Sequence, residues 1–126
     1  MAQEIRIVHL AGDQPLALAV REVEAAIQRA REEGITRLLV DVRGLCGFAS
    51  PDLLTRVDMV RRWASAAGGQ VKVALVCRSD LIDSERFGVV VAQSMGFDGN
   101  VFEDEQDARF WLEQTPALWS SPPPQF

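Results

Sequence analysis

Hydrophobic and polar positions follow two rhythms along the chain, and the changes of rhythm predict a strand–helix unit that recurs four times. Residues 4–10 (EIRIVHL) place Ile5, Ile7, Val8 and Leu10 in a strand-like run. Asp13 and Pro15 then mark a helix start, where a capping carboxylate and a fixed φ both help. Leu16, Val20, Val23, Ile27 and Ala30 follow at helical spacing and form one apolar stripe, with Arg21, Glu24 and Glu32 on other faces. Gly34 supplies the stop. Residues 37–42 (RLLVDV) and 71–77 (VKVALVC) are nearly unbroken apolar runs. Strands covered on both faces look like this, so the two runs are expected to be adjacent, parallel and buried, with Val40 and Ala74 shielded from water.

Between these runs, Ser50-Pro51-Asp52 opens a second helix, with Ser50 as its cap and Pro51 at its first position. Its expected inner stripe is Leu53, Leu54, Val57, Val60 and Ala64, and Gly68-Gly69 ends it. Asp83-Ser84-Glu85 begins a third helix that Gly96 stops. Residues 87–92 (FGVVVA) carry three β-branched side chains and also fit a strand, but the start and stop signals favour helix. As a helix the segment is apolar on nearly every side, which points to deep burial or to a face shared with a partner. Val101-Phe102 is a short strand. The acidic turn at 104–107 suits the positive end of a last helix, with Ala108, Trp111 and Leu112 facing inward. Trp63, Trp111 and Phe110 are read as core and rim. Residues 1–119 make one domain, and the Pro-rich residues 120–126 a tail that joins neither helix nor ladder.

Composition narrows the functional classes. The chain has 126 residues, 48% of them hydrophobic and 25% charged, which is the balance of one ordinary globular domain. A net charge of −5 argues against a nucleic-acid module or a polybasic membrane-surface domain. No apolar run approaches the roughly 18 residues that would span a bilayer. The start of the chain has an acid at Glu4 and lacks the basic region of a signal peptide, so a cytoplasmic location is expected. Cys46 and Cys77 fit no disulfide framework, zinc site or redox motif and read as small buried side chains. With His9 the only histidine and Lys72 the only lysine, no His-rich metal site can be built, and no cofactor or metal is expected. Asp41 does not read as a receiver-type phosphoaspartate. That chemistry wants an acidic pair after the first strand, where this chain has His9-Leu10-Ala11, and a late lysine, whereas Lys72 opens a strand.

The ordered elements, together with Asp41-Val42-Arg43-Gly44, Ala74-Leu75-Val76, and Val101-Phe102-Glu103-Asp104 followed by Ala108 and Trp111-Leu112, resemble the STAS domains, and within them a SpoIIAA-like branch of small bacterial proteins. The likeness spans roughly residues 5 to 113. It implies an α/β fold of four βα units, a mainly parallel sheet with flanking helices, and a non-enzymatic regulatory role of the anti-sigma-factor-antagonist kind, exercised on a partner protein. It also implies that Ser50 occupies the position at which such antagonists accept phosphate from a partner kinase. Here the residue before that serine is Ala49, and Pro51 and Asp52 follow it. An acid at position 52 repels an incoming phosphate.

Other candidates come from the residues themselves. Arg43 and Arg78 each follow an apolar strand, so a parallel sheet brings both to its carboxyl edge, where open α/β sheets bind ligands and where an anion would suit them. The adjacent acids Asp41, Asp80 and Asp83 are alternative partners. The third helix is expected to turn Phe87, Val90 and Val91 toward the sheet and Val89 and Ala92 partly away, which makes Phe87, Val89 and Ala92 candidates for a homodimer interface. The alternative function is a module binding an apolar, amphiphilic or anionic small ligand, by analogy with CRAL-TRIO lipid-binding folds. A closed, filled core favours the protein-binding reading, and an empty apolar pocket of several hundred Å³ favours the ligand-binding one.

Overall fold

A computed structural model describes residues 4–82 and 87–114. The chain runs β1 (Ile5–Asp13), α1 (Leu16–Glu32), β2 (Arg37–Cys46), α2 (Leu53–Ala67), β3 (Lys72–Val76), a 3-10 turn (Ser79–Leu81), α3 (Phe87–Ser94), β4 (Gly99–Phe102) and α4 (Glu105–Gln114). The four strands form one parallel sheet in the order β1-β2-β3-β4. Leu38 to Asp41 pair with Val73 to Val76, and Val40 and Ala74 are wholly inaccessible, as the two apolar runs predict.

Chain order and sheet order coincide, and right-handed crossovers that always step the same way leave their helices on the same face. Accordingly α1, α2 and α3 share one face of the sheet. Val23, Ile27 and Ala30 of α1, Val60, Trp63 and Ala67 of α2 and Ala92 of α3 close over Leu38, Val40, Val42 and Val73. Among the described helices, α4 alone lies on the other face, where Ala108 and Leu112 cover Leu39, Ala74 and Val76. The strand alternation is thus legible in β2 and β3: odd and even positions serve two separate cores.

Several boundaries differ from the sequence pattern. β1 and β2 run past the apolar residues because a bulge between His9 and Ala11 lets β2 gain a residue, after which Ala11 pairs with Gly44 and Asp13 with Cys46. Gly44 permits this pairing, since a Cβ there would sit 2.9 Å from the Ala11 Cβ. In α1 the stripe holds: Val20, Val23, Ile27 and Ala30 are buried. In α2 it does not. Val60, Trp63, Ala66 and Ala67 are buried, whereas Leu53 and Leu54 are 51% and 81% exposed. The inner row is 56, 60, 63 and 67, and it is pinned by the indole of Trp63, which donates to the Val20 carbonyl at 3.1 Å. Cys77 is buried as expected, but Cys46 is exposed because β2 extends to it.

In α3 the expected orientation holds for Val91, which packs against the core, and is reversed for Val90 and Ala92. Ala92 is buried, at 3% exposure, and packs into the core, whereas Val90 is exposed. Ala92 is therefore unavailable as an interface residue: its own chain covers it. Val89 is half-buried against the interior, and the side chain of Phe87 lies outside the described residues, as do the expected helix start at 83–85 and the tail at 120–126.

Candidate functional site

The carboxyl edge of the sheet gathers the loops that follow β1, β2 and β3. Gly47 makes the β2–α2 loop possible: its φ of +99° is left-handed, and a Cβ there would run into Asp13 and Gln14. The amide of Gln14 donates to the Cys46 carbonyl at 2.9 Å, which ties the first loop to the second.

Asp52 caps α2. One of its carboxylate oxygens accepts from the Thr55 amide at 2.8 Å, and helical structure begins at Leu53. Ser50 is therefore not the cap, and Pro51 lies before the helix. Aspartate ranks with serine as a capping residue, and here the carboxylate prevails over the hydroxyl. Hydrogen bonds from Thr55 hold the Asp52 carboxyl below the usual range.

Ser50 is exposed, and its Oγ accepts from the Arg56 guanidinium at 2.7 Å. Arg56 also donates through Nε to the Pro51 carbonyl at 3.1 Å and through a terminal nitrogen to the Leu81 carbonyl at 3.1 Å. One side chain from the first turns of α2 thus joins the β2–α2 loop to the 3-10 turn after β3. No feature of sequence pattern announces this role, because the acceptors come from two loops that only the fold brings together.

Behind this latch lies an apolar cavity of about 140 Å³. Val73, Leu75 and Val101 of the sheet form its floor, and Val23, Val60 and Ala92 stand among its helical walls. Phe48, Pro51, Leu81 and Ile82 also line it, on the loop side. Arg56 is the charged side chain among its lining residues. The void is neither a filled core nor a pocket of several hundred Å³.

Arg43 and Arg78 each hold a carboxylate close by in sequence. Arg43 grips Asp41, while Arg78 Nε lies 3.3 Å from Asp80 on the 3-10 turn. The Asp41 carboxylate is nearly buried and faces the α4 side. It accepts from the Arg43 backbone amide at 3.0 Å as well as from the guanidinium. Those side-chain bonds hold its pKa below the ordinary value against the opposing effect of burial. His9, paired with Asp41 across β1 and β2, places Nε2 3.6 Å from Asp41 and 3.7 Å from Glu105 at the start of α4. Among the described residues, these three side chains have donor atoms close enough to share a cation. Arg43 and Arg109 already stand against the two carboxylates, so the group is built as an ion-pair network.

At the opposite edge of the sheet, Lys72 is fully buried, with its ammonium 4.2 Å from the centre of the Trp111 ring. Desolvation pushes its pKa down to about 8.

No described helix is long and apolar enough to cross a membrane. Comparison of the chain with protein-family models, curated proteins and solved structures finds no match.

Proposed function

We propose that this protein is a non-enzymatic, cytoplasmic regulatory module of the STAS/SpoIIAA-like kind, which acts by binding a partner protein at the start of α2. The observation that carries this reading is the exposure of Leu53 and Leu54, three and four residues after the exposed Ser50. Large apolar side chains offered side by side on a loop–helix junction lose solvent contact when a partner docks. A phosphate on Ser50 would place about two negative charges beside those leucines and oppose apolar docking. The fold supports the reading with four βα units in series. The test is affinity capture from native lysate with the wild-type chain, Leu54→Glu and Val90→Glu. A protein retained by wild type and Val90→Glu but lost with Leu54→Glu supports the surface. Equal recovery by all three removes it. Sedimentation equilibrium of the purified chain shows whether the partner is a second copy.

A second reading is a module for a small apolar or amphiphilic ligand; the cavity behind Arg56, smaller than the several hundred Å³ of a typical ligand pocket, supports it only for a ligand of about benzene's size.

A further inference from the structure

We propose that the cavity binds a small carboxylic acid, either aromatic or of about six carbons, with its apolar part inside and its carboxylate on Arg56. The inference rests on the ligand-binding reading and names its ligand class. Size sets the first limit. Apolar cavities of about 150 Å³ take up benzene and stay free of water, and this one measures about 140 Å³. A ring or a short chain fits, and a long-chain lipid does not. The lining sets the second limit. Aliphatic, aromatic and sulfur-bearing side chains make up nearly all of its floor and walls and offer an interior water few partners; Asn100, the polar exception besides Arg56, already accepts from the Val101 amide at 2.8 Å.

Arg56 sets the third limit. It lines the cavity while bonding outward to Ser50 and the two loop carbonyls. Those bonds engage one hydrogen on each of its nitrogens, out of five N–H donors in a guanidinium. A carboxylate arriving at the lip takes the remaining donors or displaces the neutral Ser50 hydroxyl, since a charge-assisted bond is stronger than a neutral one. Among the described residues, the nearby acids have other partners: Asp52 accepts from the Thr55 amide, and Asp80 lies 3.3 Å from Arg78 Nε. Occupancy would therefore be felt at Ser50, through the bond the ligand weakens.

The experiment titrates the full chain with toluene and with benzoate, followed by calorimetry and by methyl NMR. Benzoate is expected to bind at least tenfold more tightly than toluene. It should shift the methyls of Val23, Val60 and Leu75 and leave Leu39 and Val76, on the other face, unmoved. In Arg56→Gln the advantage of benzoate should vanish while toluene still binds. Ala92→Leu, if folded by circular dichroism, should lose both. Should that variant not fold, the methyl shifts in the wild-type chain locate the site unaided. Toluene binding with no preference for benzoate, or a preference that survives Arg56→Gln, overturns the carboxylic-acid assignment and leaves the cavity as a neutral-ligand site. Binding of neither probe, or shifts confined to the other face, overturns both readings.

Discussion

Arg43 reaches back along its own strand and grips the carboxylate of Asp41, with Nε at 3.0 Å from one oxygen and a terminal nitrogen at 2.7 Å from the other. The contact fixes a nearly buried charge beside the bulge of β1 and β2. It depresses the Asp41 pKa. The stability it contributes is therefore present above the unfolded carboxyl value near 3.8 and is lost as pH falls through the lower folded value. Arg43→Met should lower the thermal midpoint by several degrees at pH 7 and by progressively less as the pH falls below 3.8, as measured by circular dichroism.

The helix cap gives a direct comparison of two neighbouring residues. Asp52→Ala removes the acceptor for the Thr55 amide and should lower the melting temperature by a few degrees. Ser50→Ala removes an exposed hydroxyl from Arg56 and should change it by less. Equal losses, read by differential scanning calorimetry, would contradict the assignment of the cap to Asp52.

Lys72 makes stability rise with alkaline pH. Its folded pKa of about 8 lies below the ordinary 10.5. Between those values the unfolded chain carries a proton that the folded chain has released, so stability increases with pH across that window and is depressed below it. The full difference corresponds to about 3 kcal/mol. The chain has no tyrosine, so few other groups titrate there. Lys72→Met keeps the length and removes the charge. It should be more stable than wild type by about 2 kcal/mol at pH 7, with the alkaline rise gone, in urea titrations at pH 7 and pH 10.

Trp63 joins α1 to α2 through its indole hydrogen bond to Val20. Trp63→Phe retains most of the ring and loses the donor, and should cost about 1 kcal/mol in urea unfolding.

The fold was largely legible because its evidence is local. The stripe of α1 and the runs at 38–42 and 71–77 follow from periodicity, and so does the inner face of α4, since Ala108 and Leu112 are fully buried. The extension of β1 was not legible: Ala11, Gly12 and Asp13 carry no strand pattern and pair only because the bulge and Gly44 admit them. Leu53 and Leu54 continue a plausible stripe, yet they lie outside the core that Trp63 anchors. The candidate site was legible only in part. Ser50 and Arg43 stand out in the chain, but Arg56 looks like any surface arginine of a helix. Its importance lies in acceptors at positions 50, 51 and 81.

The coincidence of strand order with chain order has a consequence for synthesis. Each strand pairs with the one made before it, so the sheet can grow by addition at one edge as the chain leaves the ribosome, without waiting for a distant segment. The helices on the first face can dock in the same succession. The second face has no such early cover: Leu39, Ala74, Val76 and the Lys72 ammonium stay wet until α4, the last described helix, arrives. The proton on Lys72 is then released last in folding, and mildly alkaline conditions should speed that closing step. Pulse-labelled amide exchange at pH 7 and pH 9 would time it, with α4 protected last and sooner at the higher pH.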